Sequence, residues 1–338
     1  MHHGRSTMPA GSQLEIVGGT VSLPIASKGV LGFLGALGAL AVHFSFHAMK
    51  PSQSHILQVR GLRYHVRTWG DETDPKLVLL HGWMDVSASF QFLVDALRRD
   101  WYVIAPDWRG FGLSEWAAGG YWFPDYVADL DVLLRQLSPA VPVNLVGHSM
   151  GGNVAGLYAG IRPARVAKLA LLEGFGLPRT VAATAPNRYE KWLDQIIEPP
   201  SFKPYDSMED VEDRLMQNNR RLSREKARFL APHWAKRLDS GGLVLNSDPA
   251  HKMVNPVLYR LEEAIACWKR ISAPTLWVWG DGQWMRQWLK DNEDDLRERR
   301  AAHRSLVEHT IADAGHMLHH DQPEKLAEIL EEFLVRGE

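Results

Sequence analysis

From residue 54 onward, short apolar runs alternate with amphipathic stretches along the chain. Residues 55–60 and 62–69 alternate in character around Gly61, which predicts an opening antiparallel hairpin. Leu77 to Leu80 and Tyr102 to Pro106 are continuous apolar runs of the kind that becomes a strand buried on both faces. Val143 to Val146, Leu169 to Leu172, Thr275 to Trp279 and Val307 to Ala312 extend the series. Between them, helices are predicted at about 88–99, 125–137 and 151–161. A last helix follows Asp321-Gln322-Pro323, with Leu326, Ile329, Leu330 and Phe333 at i, i+3, i+4 and i+7 on one face. Such alternation predicts a mostly parallel sheet covered by helices on both faces.

The alternation stops between about Leu177 and Lys269. That stretch contains no strongly strand-like run. It holds charged helical pieces at 187–197, 207–218 and 223–238, separated by Pro199-Pro200 and Ser240-Gly241-Gly242. A helical insertion over one edge of the sheet is the expectation. The predicted organisation is thus an N-terminal extension (1–50), a core (51–176 and 270–338) and a helical cap (177–269).

The N-terminal extension has its own pattern. Gly29 to Met49 has no formally charged residue and is Leu-rich from Leu31 to Val42. A bilayer span needs about 20 apolar residues. Here His43, Ser45 and His47 weaken the end of the run, and Lys28 and Lys50 flank it without a charge bias. A marginal membrane anchor, a signal-like segment and a dispensable extension all fit, and the dispensable extension is preferred. The expected location is cytoplasmic, with membrane anchoring through 29–49 as the alternative.

Composition narrows the function classes. Of the 338 residues, 45% are hydrophobic and 23% charged, as in ordinary globular proteins. The formal net charge of −2 gives no reason to expect a nucleic-acid partner. The single cysteine, Cys267, excludes an intrachain disulfide and a cysteine-based zinc site, and its surroundings read as a helix carrying an inert thiol. The thirteen tryptophans are explained equally by an aromatic-lined pocket and by core packing.

The chemistry-bearing motif is Gly147-His148-Ser149-Met150-Gly151. It follows an apolar strand and precedes a small-residue helix, the context in which a serine becomes a nucleophile on a strained turn. A helix N-cap serine is the competing reading. A serine hydroxyl needs a base and a group to orient that base. His316, in Ala314-Gly315-His316-Met317 between the last strand and the last helix, is the expected base. His319 and His320 read as a solvated pair. The oxyanion donors are expected to be the backbone N–H groups of Met150 and of Trp83, which follows Gly82 after the third strand. His81, Gly82, Trp108 and His148 are expected to border the substrate pocket, and His148 is read as packing or hydrogen bonding there.

At this point the chain resembles the α/β-hydrolase superfamily over about residues 54–338. The resemblance rests on His81-Gly82-Trp83, on Asp107-Trp108-Arg109-Gly110-Phe111-Gly112-Leu113-Ser114, on the segment 147–152 and on Gly315-His316. It implies an α/β-hydrolase fold: an eight-stranded, mostly parallel sheet with a helical cap. It looks most like the cap-bearing branch, and within it like the serine hydrolase-like group. Ser149 argues against the epoxide hydrolases and haloalkane dehalogenases, which have Asp at that position.

The orienting acid departs from the commonest pattern. Many relatives carry Gly-x-x-Asp after the strand before the last, whereas this chain reads Gly280-Asp281-Gly282-Gln283. The other location used by such proteins is the end of the preceding strand, which here ends Leu172-Glu173-Gly174. Glu173 is the preferred acid and Asp281 the alternative. The expected function is hydrolysis of a small apolar ester or related carbonyl substrate through an acyl-enzyme. Carbon–carbon bond hydrolysis or perhydrolase chemistry on the same residues is the alternative, as is a non-catalytic ligand-binding protein. No metal or cofactor is expected, the partner is a small-molecule substrate, and the sequence gives no reading of oligomeric state.

Overall fold

The structure is a computed structural model that describes residues 49–239, 241–290 and 292–336. The extension at 1–50 and the apolar stretch at 29–49 therefore lie outside the described residues, apart from Met49 and Lys50. Among the described residues, no helix is long and apolar enough to cross a membrane.

Ten strands occur in chain order: β1 (Ser52–Val59), β2 (Leu62–Trp69), β3 (Lys76–Leu80), β4 (Tyr102–Pro106), β5 (Val143–His148), β6 (Val166–Leu172), β7 (Ala235–Arg237), β8 (Leu243–Leu245), β9 (Thr275–Gly280) and β10 (Leu306–Ile311). Eight of them form one sheet in the order β1-β2-β4-β3-β5-β6-β9-β10. The β1–β2 and β2–β4 pairings are antiparallel and the rest are parallel. This is the architecture expected from the sequence. Because β3 lies between β4 and β5, the strand order reverses beside it, and a crevice opens at the carboxyl ends of β3 and β5.

The helices are α1 (Gln91–Ala96), α2 (Phe123–Leu137), α3 (Met150–Ile161), α4 (Ala185–Ile197), α5 (Met208–Asn218), α6 (Arg224–Trp234), α7 (Leu261–Trp268), α8 (Trp284–Trp288), α9 (Glu293–Ala301), α10 (Leu318–Asp321) and α11 (Pro323–Val335). Side-chain alternation along the strands feeds two cores. Val78, Leu80, Leu145, Leu169, Leu171 and Trp277 point to the side covered by α2, α3 and α7. Leu77, Leu79, Val146, Ala170, Leu172 and Leu276 point to the side covered by α1 and α11. The Leu326, Ile329, Leu330 and Phe333 face of α11 is buried in this second core.

Between β6 and β9 the chain forms α4 to α7 together with the small antiparallel pair β7–β8. Helices α5 and α6 carry their own apolar cluster, which includes Val211, Leu215, Leu230 and Ala231. Ser207 caps α5 through a reciprocal capping box with Asp210. The β7–β8 hairpin departs from the expected wholly helical insertion. Residues 235–237 were expected to continue a helix, but Pro232 sits in the last turn of α6, where it removes a backbone donor and favours termination. Six of the thirteen tryptophans are buried in the core, and Trp69, Trp108 and Trp277 are among the largest fully buried side chains.

Candidate active site

Ser149 sits where β5 turns into α3, with φ 52° and ψ −115°, a conformation that side-chain-bearing residues rarely adopt. Close approach of backbones forces the turn. A Cβ on Gly147 would lie 2.4 Å from the Gly151 carbonyl oxygen, and one on Gly151 would lie 2.2 Å from that of Leu80. Ser149 N–H donates to the Leu172 carbonyl at 2.9 Å, locking the turn to the neighbouring strand. The side chain occupies the N-cap position of α3 but makes no capping hydrogen bond. Its Oγ instead lies 3.0 Å from His316 Nε2.

His316 comes from the loop between β10 and α10. Its ring is flanked by Trp284, at 3.8 Å between centroids, and by His148, at 4.8 Å. The loop is fastened by Asp281, whose carboxylate accepts the Asp313 and Ala314 amides at 2.9 and 3.2 Å. Asp281 thus holds the backbone that carries His316. Glu173 lies on the other side of the imidazole, one residue past β6, with φ 49°. Its Oε1 accepts the Gly280 amide at 2.8 Å, and its Oε2 faces His316 Nδ1 at 3.5 Å. Its side chain is buried, and neither Oε2 nor Nδ1 has another hydrogen-bond partner.

The residues expected at the oxyanion site border Ser149. A Cβ on Gly82 would lie 3.2 Å from Ser149 Cβ, so the segment leading into Trp83 runs directly beside the hydroxyl. Met150 opens α3, so its amide has no intrahelical acceptor and belongs to the positive end of the helix. The Trp83 indole reaches across to the His251 carbonyl at 3.3 Å.

Two of the expected pocket residues lie elsewhere. His81 and Trp108 are fully buried and do not line the cavity at Ser149. They bond to each other instead: Trp108 N–H donates to His81 Nε2 at 2.9 Å, and the Trp108 indole donates to the His81 carbonyl at 3.0 Å. With Nδ1 donating to the Gly82 carbonyl, both His81 nitrogens are occupied, and Nε2 ties the end of β3 to the residues after β4. Gly82 and His148 do line the cavity.

His148 Nε2 donates to the His316 carbonyl at 2.7 Å, which fixes its tautomer and leaves Nδ1 as a lone pair. Burial, reinforced by His319 and His316, holds its pKa well below the ordinary histidine value, so the ring is neutral. His319 and His320, expected to be solvated, are buried instead. Helix α10 tucks them under Ser87–Phe90, where Ser89 Oγ meets His320 Nε2 at 2.5 Å. Asp85 completes the cluster, with Oδ2 3.7 Å from His319 Nε2. Burial pushes its carboxyl up, but His319 and the neighbouring histidines outweigh that and hold it below the usual range. Asp85, His148 and His319 can bring ligand atoms within 4.8 Å of one another, the one such potential metal-holding group among the described residues. Each of these three is separated from the others by about 60 residues or more, so only the fold assembles them.

The cavity has a volume of about 1030 Å³. Core loops and the cap both line it, with Trp83, Met84 and Trp284 from the former and Tyr205, Leu215 and Trp234 from the latter. Gln283, in place of the common acid, takes a left-handed conformation at the start of α8, which carries Trp284.

A family model described as alpha/beta hydrolase fold matches residues 75–323. The chain is 28% identical over 310 residues to a zebrafish (Danio rerio) serine hydrolase-like protein, covering 86% of this chain and 91% of the relative. Its fold is similar to a thioesterase domain from the curacin biosynthetic pathway, with a TM-score of 0.73, 24% identity and coverage of 83% and 99% of the two chains. It is also similar to an esterase from Mycobacterium tuberculosis, with a TM-score of 0.64, 21% identity and coverage of 84% and 91%. The relatives support a hydrolase, and the chain belongs to the alpha/beta hydrolase fold family.

Proposed function

We propose that the protein is a serine hydrolase that cleaves a carboxylic ester or thioester through an acyl-enzyme. The observation that carries this reading is the 3.0 Å contact between Ser149 Oγ and His316 Nε2, backed by Glu173 on the far side of the ring. Ser149 Oγ attacks the acyl carbonyl while His316 Nε2 takes its proton. Glu173, buried beside the ring, stabilises the imidazolium that forms and holds the ring in the tautomer that accepts at Nε2. The Met150 and Trp83 amides receive the developing oxyanion. Collapse of the tetrahedral intermediate breaks the ester or thioester bond, and His316 returns the proton to the departing alcohol or thiol. A water molecule, deprotonated by the same nitrogen, then attacks the acyl-enzyme and frees the acid and the serine.

Contacts of this kind commonly tighten when substrate binds, which brings the 3.5 Å separation of Glu173 and His316 to hydrogen-bond distance. The test is labelling by a fluorophosphonate probe together with hydrolysis of p-nitrophenyl esters. Both are expected in the wild type and absent in Ser149→Ala. A well-folded wild-type protein that neither labels nor hydrolyses any ester would refute the reading.

A further inference from the structure

The cavity carries a charge pattern that the net charge of the chain does not foreshadow. Five cationic side chains line it: Lys203, Arg214, Arg220, Arg221 and Lys252. Asp85 is the one carboxylate among the lining residues and is buried against His319, while Asp321 stands just outside the lining, its Oδ2 3.4 Å from where a Cβ on Gly315 would lie, near Arg221. The whole chain, by contrast, carries 38 basic and 40 acidic residues. Elsewhere, some arginines are matched to acids, as Arg179 is to Glu262, Asp295 and Glu298 and Arg224 to Glu212 and Asp213, while others, such as Arg165 and Arg188, are satisfied by backbone carbonyls. Among the described residues, none of the five cavity cations forms an ion pair with a carboxylate.

The two adjacent arginines are held in register with the catalytic loop. Asn219 Nδ2 donates to Asp321 Oδ1 at 2.7 Å, and Asp321 Oδ2 accepts the Gly315 amide at 2.8 Å. Asn219 Oδ1 in turn accepts the Arg221 amide at 3.1 Å. The turn bearing Arg220 and Arg221 is therefore tied to the residue before His316. Arg221 itself reaches that loop, since a Cβ on Gly315 would lie 3.2 Å from its Nη1. Leu215, Leu222 and Trp234 supply an apolar wall to the same space.

A concave site lined by one sign of charge focuses its field and concentrates ligands of the other sign. Guanidinium groups match carboxylate and phosphate oxygens in geometry as well as charge. We infer that the cavity selects an anionic acyl substrate, an ester or thioester carrying a carboxylate or phosphate group that Arg221 and Arg220 engage while the apolar part lies against the cap. This rests on the proposed hydrolase reading for turnover, but the anion preference is a binding property that can be measured without it.

Three probes separate the sources of the charge: neutral p-nitrophenyl butyrate, p-nitrophenyl hemiglutarate with a carboxylate on the acyl group, and butyryl-coenzyme A with phosphates on the leaving group. Calorimetry on Ser149→Ala measures their binding, and wild-type kinetics measures their turnover. At least one anionic probe is expected to bind about tenfold or more tightly than the neutral ester at low salt, with the advantage shrinking at 0.5 M NaCl. Arg221→Met is expected to weaken the favoured anionic probe about tenfold more than the neutral one, and Arg221→Lys to restore part of the difference. Thermal melts of each variant show that the fold is intact. Equal or tighter binding of the neutral ester, or equal losses for both ester types in Arg221→Met, would overturn the proposal. Anion-selective binding with no turnover and no Ser149 labelling would instead sink the hydrolase reading and leave the anion site standing.

Discussion

Glu173 divides its carboxylate between two partners: Oε1 takes the Gly280 amide at 2.8 Å, and Oε2 faces His316 Nδ1 at 3.5 Å. The Gly280 bond orients the side chain from the end of β9 and turns Oε2 toward the imidazole. Asp281, the residue after β9 ends at Gly280, faces the backbone of the His316 loop instead.

Replacing these acids is expected to separate their roles. Glu173→Gln keeps the shape and the Gly280 contact but loses the charge beside His316, so kcat should fall by ~10³-fold or more with little change in melting temperature. Asp281→Asn can no longer accept both loop amides as a carboxylate, so its main effect should be a lowered melting temperature, with a loss of kcat of about tenfold or less. Steady-state ester hydrolysis and thermal melts check both. The reverse order of kcat losses would assign the orienting role to Asp281.

The elbow leaves no room for side chains at its glycines. Gly151→Ala would drive a Cβ to 2.2 Å from the Leu80 carbonyl oxygen, against backbone that cannot move without disturbing β3. Loss of soluble protein, or a melting temperature lowered by a destabilisation of about 3 kcal/mol or more, is expected. Gly61→Ala is the comparison: nothing lies within 4 Å of its Cβ, and only its φ of 84° resists the change. It should cost about 1 kcal/mol. Equal effects of the two substitutions would show that the elbow is less tightly built than its distances imply.

Trp284 lies over the His316 ring at 3.8 Å and also stacks on Trp288. Trp284→Ala removes one wall of the imidazole site while leaving the sheet untouched. A ring contact is worth about 0.5–1.5 kcal/mol, so kcat is expected to fall up to about tenfold. The melting temperature should change little, because Trp284 is 39% exposed. Unchanged kcat would mean that His148 and Glu173 hold the ring without it.

Several histidines are held neutral by burial, and this makes stability depend on pH. Burial lowers His303 to about 4 and His251 to about 3, and it holds His148 and His320 well below the ordinary value. In the unfolded chain these residues titrate near 6.5. Between the folded and unfolded values the unfolded chain binds more protons, so stability is full above about pH 6.5 and declines as pH falls toward 4. Melting temperatures from pH 8 to 4.5 should trace that loss. His303 packs between Trp268 and Trp277 with neither ring nitrogen hydrogen-bonded. His303→Phe should therefore flatten part of the acid-side decline. A melting temperature constant or rising from pH 7.5 to 5 would contradict the assignment.

Much of the fold was legible because strands buried on both faces need continuous apolar runs, and Leu77–Leu80 or Leu169–Leu172 leave that trace in any context. The three-residue strands β7 and β8 were not legible, since they are too short to show a period. His319 and His320 misled for a different reason. A polar pair before a helix usually faces water, and only the packing of α10 against Ser87–Phe90 buries it. His81 and Trp108 misled because neighbours of a motif can serve its scaffold as readily as its cavity.

The sequence by itself determined the succession of the eight strands of the main sheet and the helices of its core such as α2, α3 and α11, the elbow around Ser149 and the candidacy of His316, because each depends on residues close together in the chain. Only the tertiary structure decided which carboxylate faces His316, because β6 and β9 are about 100 residues apart and meet only as neighbouring strands. It also decided that, among the described residues, the cations lining the cavity form no ion pair with a carboxylate. The composition records how many charges there are, while the packing of the cap decides which of them face the cavity and which find a carboxylate.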